Sequence, residues 1–486
     1  MYEIHSCMPR SYTVDKTGQL SYTVNEVSKV TYQDFLQVGA DVKDIANFIR
    51  KAINDHVSSE LYKTARIADD YDRGQNTTIL NYQKTITGIK GQKYQDFLSP
   101  THRMASNYYH IFISQACQYL LSNGVTWKNE QTAKVFGNDF DNRLIDIATS
   151  ALNGSVAYGF FNNDHVEVLP IYDRDKPSFV PITDEVTGEL MMGIKFWQIA
   201  DNKPLNAVMY EADGITEFMF SNADYKPIDS AWISYGNGIY AKNKYPYKRI
   251  RISSKQTGTQ YYDGGNYSAL PIIPMYGNKL RQSEIINLRE KIDAYDFILN
   301  GFEDDLDNAQ IYWIIRGAGG MDDADIVQFL DRLRTVKAAA PMDGQDVQAQ
   351  AIQIPVEARE RLLDRLDRQL YKDAQAFNPD DVKSGATVTA QINAAYVPLD
   401  LKTDLFEYCV LEFLGGLMTI ANIQDNPTFT RNKLTNVSEE VQTLVTAATH
   451  LSSEYVTQKI LTLFGDGDKV NEILKQMDAE DVDIDE

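Results

Sequence analysis

The sequence predicts an α+β chain in which two long helices flank a small α/β insert beside a larger mixed body. Three observations lead there. Residues 285, 288, 292, 295, 299, 302 and 306 are all aliphatic or aromatic, a 3-4 spacing that keeps one face of a helix apolar across residues 283–308. Residues 155–270 switch to short alternating strands, separated by Thr187-Gly188, Asp213-Gly214, Asn237-Gly238 and Gly264-Gly265. The stretch IPVEARERLLDRLDRQLY, residues 354–371, winds onto a helical wheel as an apolar sector with an acidic and a basic flank side by side.

The remaining elements follow in order. SYTV occurs at 11–14 and again at 21–24, which suggests a hairpin within residues 1–30. ADVKDIANFIRKAINDHV sets Val42, Ile45, Phe48, Ile49, Ile53 and Val57 on one helical stripe. HRMASNYYHIFISQACQYLLSNG reads as a second helix, carrying both His102 and His110 and capped at Asn123-Gly124. FDNRLIDIATSALNGSVAYGFF reads as a third, ending at a glycine. PIIPMYGN then leads into the heptad helix. The insert, residues 309–354, contains the strand IYWIIRG, a short helix around DADIVQFLDRLRT and the strand-like run VQAQAIQI. After the two-edged helix come the loop AFNPDDVKSGAT, a long helix over about 388–423, and a helical tail ending in AEDVDIDE.

Composition narrows the function. The chain of 486 residues is 43% hydrophobic, enough for two to four domains or one multi-layer assembly. Cys7, Cys117 and Cys409 are odd in number and far apart, which argues for a reducing compartment rather than a disulfide framework. MYEIHSCMPR lacks a signal-peptide pattern, and the longest apolar run, 408–423, contains Glu412 and two glycines and is too short to span a bilayer. A soluble, cytoplasmic protein with no membrane partner is expected. The formal charge of −21 excludes a generally adhesive DNA-binding surface, because such a surface needs cations to displace counterions from phosphates.

Signals for catalysis are weak. There is no G-x-x-x-x-G-K-[ST], no G-x-G-x-x-G after a strand and no H-E-x-x-H among the six histidines. No catalytic, metal or cofactor residue is assigned, and the chain is not expected to be an enzyme. The basic-aromatic AKNKYPYKRIRISSK, residues 241–255, reads either as a phosphate contact or as a solvated hairpin.

The two-edged helix carries more information. Glu357, Glu360, Asp364 and Asp367 form one edge; Arg361, Arg365 and Arg368 form the other. Within one helix, Glu357–Arg361 and Asp364–Arg368 could pair at i,i+4, but intermixed signs would serve that purpose equally well. Segregation is explained if copies stand around a rotation axis with the acidic edge of one against the basic edge of the next, a heterologous contact that closes into a ring.

These residues together resemble a known family. PIIPMYGNKLRQSEIINLREKIDAYDFILNGFEDDL, IYWIIRG, IPVEARERLLDRLDRQLY and FNPDDVKSGATVTAQINAAYVPLDLK are similar, in order, to the portal proteins of long-tailed bacteriophages. The resemblance implies a portal fold, assembling as a cyclic ring: residues 1–270 as an α/β wing, 271–308 as the first stem helix, 309–354 as a small α/β clip and 355–376 as the second stem helix. It further implies 377–387 as the tunnel loop, 388–436 as a long helix returning through the wing, and 437–486 as a helical crown with an acidic tail. The implied assembly is a dodecamer at the capsid vertex of the virion, built in the host cytoplasm. It would conduct double-stranded DNA during packaging and ejection.

On this footing the stem residues above are the candidate subunit interface. Asn378, Asp380, Asp381, Lys383 and Ser384 are the candidate channel residues, with Pro379 and Gly385 shaping the loop. Tyr312, Trp313, Arg316, Asp325, Asp331 and Arg332 are the candidate docking residues of the clip. The implied partners are further copies of the chain, duplex DNA, the terminase large subunit, a head-completion adaptor, and the major capsid and scaffolding proteins. The alternative is a phage scaffold that oligomerises without conducting DNA.

Overall fold

A computed structural model describes residues 10–14, 20–24, 30–87, 92–96, 101–221, 225–227, 229–254, 258–307, 311–316, 346–351, 355–382, 388–432, 437–450 and 452–463. The repeated SYTV segments pair as an antiparallel hairpin, β1 (Arg10–Val14) with β2 (Leu20–Val24). The helical block follows: α1 (Tyr32–Leu36), α2 (Val42–Ser58), α3 (Glu60–Asp72) and α4 (Thr77–Leu80). Asp41 starts α2 by accepting from the Lys43 N–H at 3.1 Å, and Ser59 starts α3 by accepting from the Tyr62 N–H at 3.2 Å. A short pair, β3 (Thr85–Thr87) and β4 (Lys93–Gln95), precedes α5 (Tyr108–Leu121). Then come β5 (Val125–Thr126), α6 (Glu130–Phe136) and α7 (Phe140–Gly154).

Helix α7 ends at the expected glycine, and Ser155, at φ 67°, turns the chain into β6 (Val156–Asn162). Strand β6 is almost wholly buried and therefore lacks the alternation that marks a half-buried strand. It pairs with β7 (His165–Pro170) in a three-stranded sheet that α7 covers. The next strands are β8 (Ser178–Thr183), β9 (Leu190–Trp197), β10 (Leu205–Glu211), β11 (Gly214–Phe220), β12 (Ile233–Gly236) and β13 (Ile239–Ala241). They form one antiparallel sheet in the order β12-β13-β11-β10-β9-β8. The stripe of α2 packs on it, with Phe48, Ile49 and Ile53 against Val180, Ile194, Met209 and Phe218. Hairpin β14 (Arg249–Ser254)–β15 (Gly258–Asp263) follows, then β16 (Ile272–Tyr276), which completes the sheet order β16-β6-β7.

The heptad helix is α8 (Ile285–Asp307). Its first half, Ile285, Leu288 and Ile292, belongs to the main core, whereas Leu306 is exposed. The insert contributes an antiparallel pair, β17 (Ile311–Arg316) with β18 (Asp346–Ala351); the helix expected between them lies outside the described residues. The two-edged helix is α9 (Val356–Ala374), and a 3-10 turn spans Pro379–Asp381. The long helix is α10 (Val388–Ala421), followed by β19 (Thr428–Phe429), α11 (Val437–Ala447) and α12 (Ser453–Leu463). α10 lies on β16 so closely that a Cβ on Gly416 would come within 2.6 Å of Ile273.

Contrary to expectation, residues 102–107 are not helical, so His102 and His110 do not share a helix: His110 lies on α5 and His102 in an extended segment. The segment runs antiparallel to α8, and three α8 side chains, four residues apart, take its backbone. His102 N–H donates to Asp304 at 2.8 Å, Met104 N–H to Asn300 at 2.7 Å and Ser106 N–H to Asp296 at 3.1 Å. The Asn300 amide returns a bond to Met104 O at 2.9 Å. Asp296, Asn300 and Asp304 are all buried, so these bonds satisfy polar groups on both sides. Burial pushes the Asp296 carboxyl up. Burial acts the same way on Asp304, but the His102 backbone and ring and Lys84 outweigh it and hold that carboxyl below its usual range.

A largely buried ion pair ties the long helices together. The Lys402 ammonium of α10 donates to Glu284, just before α8, at 3.0 Å and to Ala374 O, the last residue of α9, at 3.1 Å. Glu284 also accepts from Asn278 at 3.0 Å, and its N–H donates to Leu152 O of α7 at 3.1 Å. Burial raises the Glu284 carboxyl, but Lys402 and Asn278 more than offset it and leave it below the ordinary glutamate value.

Two outcomes are expected. Lys402→Met strands a buried carboxylate and lowers the unfolding free energy by about 3 kcal/mol, read by urea denaturation, with partial recovery in the Lys402→Met/Glu284→Gln double variant. Because the folded pKa of Glu284 is depressed, this stabilisation is present above the unfolded carboxyl value, about pH 4.3, and fades as pH falls through the folded one. Asn300→Leu removes both bonds to Met104 and costs about 2 kcal/mol; hydrogen exchange should quicken at 102–107 before it changes in the six-stranded sheet.

Candidate functional site

Helix α9 packs on α8: Leu370 and Ala374 are buried in the same core as Ile285, Leu288 and Ile292, and Leu363 and Leu366 are half-buried. Val356 and Leu362 of the same apolar sector remain exposed. Charge fixes the pairing of the two helices. The Arg359 fork bonds Asp305 and Gly301 O of α8, and Lys291 of α8 reaches Asp373 at 2.8 Å.

The seven charges of the two edges separate into three groups. Glu357 and Arg361 pair with each other along α9. Asp367 is turned inward, accepting from the Tyr108 hydroxyl at 2.5 Å, so it is not free for a neighbouring copy. Glu360, Asp364, Arg365 and Arg368 are exposed and, among the described residues, make no ion pair within the chain. The i,i+4 pair Asp364–Arg368 does not form. An exposed helix pair contributes only a few tenths of a kcal/mol, so four unpaired and sorted charges leave the single-helix explanation incomplete.

The loop after α9 is anchored at its start. Gln375, at φ 52°, ends α9 in the left-handed conformation. The Gln115 side chain holds Phe377 at both backbone atoms, at 3.1 Å each. Phe377 stacks on Tyr396 at 4.4 Å, and Tyr396 on Tyr119 at 5.4 Å. Asn378 is buried and caps the 3-10 turn, accepting from the Asp380 N–H at 3.0 Å. It thus positions the turn rather than lining an open surface, contrary to its expected role. Asp380 and Asp381 are exposed beyond it, on a turn begun by Pro379. Lys383, Ser384 and Gly385 lie outside the described residues.

In the insert, Tyr312, Trp313 and Arg316 lie on β17, opposite Gln350, Ala349 and Asp346 of β18. Asp325, Asp331 and Arg332 lie outside the described residues. Among the described residues, three of the six bases in the basic-aromatic stretch are paired with acids. Lys242 reaches Glu217 at 2.8 Å, Lys244 bridges Glu211 and Asp213, and Arg249 meets Asp263 at 3.2 Å. Those pairings favour the hairpin reading over a phosphate contact.

Sequence reasoning missed Asp296, Asn300, Asp304 and Lys402, which set the angle and height of α8, α9 and α10. A signal for the first three was present, since polar residues recur every fourth position on one face of the heptad helix.

The family model described as "Phage portal protein, SPP1 Gp6-like" matches residues 50–486. The portal protein of Clostridium phage phiCD119 is 23% identical over 363 residues, covering 70% of this chain and 77% of that protein. The portal protein of Bacillus phage SPP1 is 25% identical over 429 residues, covering 82% and 80%. Among solved structures, the neck of an empty GTA particle computed with C6 symmetry aligns at a TM-score of 0.40 and 11% identity, over 74% of this chain and 90% of that one. With a family match across nearly its whole length, the chain belongs to the phage portal protein family.

Proposed function

We propose that the chain is the repeating subunit of a closed ring, a dodecamer at one capsid vertex, and that the bore of this ring conducts duplex DNA into and out of the head. The observation that carries the reading is the set of four exposed charges of α9, acids Glu360 and Asp364 beside bases Arg365 and Arg368, which the described residues leave unpaired. In a rotational assembly the acidic border of one copy meets the basic border of the next. Such exposed pairs are individually weak and salt-sensitive. They set register and orientation, and apolar contact supplies the rest of the affinity.

The electrostatics also suit a conduit. A duplex carries one negative charge per about 1.7 Å of its axis. A bore dense in lysine and arginine would hold it. A wall bearing Asp380 and Asp381, on a chain of net charge −21, keeps it centred and free to slide while a separate motor does the work. In this reading the antiparallel pair β17–β18, with Tyr312, Trp313 and Arg316, is the end offered to the terminase motor and later to the head-completion adaptor. The role is structural and requires no chemistry of the chain's own. The same reading sets the body and α11–α12 on the side that meets capsid and scaffold.

Native mass spectrometry tests the pairing. The Arg361→Glu/Arg365→Glu/Arg368→Glu variant should populate free subunits at salt concentrations where the parent is a ring. Reversing Glu357, Glu360 and Asp364 to lysine in the same chain should restore rings in part. Absence of any restoration, with both variants folded by circular dichroism, contradicts edge pairing.

A further inference from the structure

Helix α10 carries an apolar stripe that the described residues do not cover. Val397, Leu401, Leu405 and Tyr408 are 50%, 58%, 57% and 62% exposed. Their spacing of four, four and three residues sets them in one line about 17 Å long. Farther along the same line stands Gly415, where an added Cβ would meet nothing within 4 Å. A glycine inside a helix lowers its stability by about 1 kcal/mol relative to alanine, and no close packing among the described residues calls for it here. It leaves room for another chain to approach the α10 backbone. Together the four side chains expose on the order of 400 Å² of mostly apolar surface, the size of the largest patch on a typical monomer, which is often a site of interaction.

The border of the stripe tells against DNA as its cover. Asp400, Asp404 and Glu407 run beside it and share one cation, Arg431. Glu412, on the stripe's own line, pairs with Lys279 at 3.3 Å. A phosphate backbone approaching this face would meet acids first. An apolar line with an aromatic member and a charged rim is instead the anatomy of a protein–protein contact.

We propose that the stripe Val397–Leu401–Leu405–Tyr408 is the apolar core of the contact between neighbouring copies of this chain. The inference rests on the ring reading above and deepens it. Two arguments select a second copy as the occupant. One is area: a stable interface buries about 800 Å² on each partner, and the four unpaired charges of α9 supply only a small, polar part of that. The stripe supplies roughly half of that area, and its exposed side chains are apolar. The other is continuity: α10, which carries the stripe, is tied to the end of α9, which carries the charged edges, through the bond from Lys402 to Ala374 O, so both surfaces belong to one helix pair that a single neighbour can meet.

The test uses the full chain, purified alone, with Leu405→Cys in a Cys7→Ser background; Cys117 and Cys409 are buried. Maleimide labelling of the introduced thiol is timed in the assembled ring and in subunits dissociated by salt. The expected result is labelling at least tenfold slower in the ring, together with loss of ring formation in a folded Leu401→Asp/Leu405→Asp variant. A ring whose introduced thiol labels as fast as in free subunits overturns the stripe contact and leaves the ring reading standing. Equal protection in the dissociated subunit means that the chain covers its own stripe, and also overturns the proposal. Failure of the parent chain to form any ring overturns the reading on which the proposal rests.

Discussion

The structure depends on one largely buried ammonium group. Lys402 sits where four helices converge, and an uncompensated cation there would be costly. It is satisfied by Glu284 at the start of α8 and by the terminal carbonyl of α9, while the Glu284 backbone is held by the end of α7. A helix C-terminus leaves carbonyls without intrahelical partners and carries partial negative charge, so Ala374 O is a natural acceptor for a lysine. This knot fixes the relative height of α8, α9 and α10. The distance from the body to the charged edges of α9, and from there to the acids of the loop, is set by where Lys402 finds its partners.

A second layer of polar bonding sets the direction of α8. Asp296, Asn300 and Asp304 bind the extended backbone of residues 102–107, and Asn76 bonds both Asp293 and Asp296 at 2.9 Å. Tyr71 donates to Asp293, and burial together with that carboxylate pushes its hydroxyl up to about 12. Apolar packing alone tolerates sliding by a helical turn, whereas a ladder of buried bonds from fixed side chains does not. The apolar face of α8 gives affinity for the core, and the polar face gives register.

The extent to which this was legible in the sequence follows from the range of each interaction. The heptad of α8, the two-edged pattern of α9, the hairpin at 10–24 and the strand block after residue 155 were all readable, because each is a local period in a local segment. α9 runs to Ala374 because Gln375 caps it in the left-handed conformation, a choice that side-chain periodicity does not reveal. Residues 102–107 were misread as helix because their backbone is claimed by side chains nearly 200 positions away. Of the site, sorted charge was visible, but which charges remain free was not. Asp367 is lost to Tyr108, and Glu357 to Arg361, only once the chain is folded. Asn378 looked like a channel residue by position, yet it is buried as a cap, because a loop that presents Asp380 and Asp381 needs a fixed start.

The central claim is that copies join through opposite charged borders around a bore whose acidic wall lets a polyanion pass. A three-dimensional reconstruction of the purified assembly by electron cryomicroscopy tests this most directly. The account predicts a closed rotational ring with a bore wider than a DNA duplex, adjacent α9 helices meeting with Glu360 and Asp364 toward Arg365 and Arg368, and Asp380 and Asp381 facing the axis. Particles without rotational symmetry, α9 helices turned away from one another, or a bore lined with lysine and arginine would contradict it.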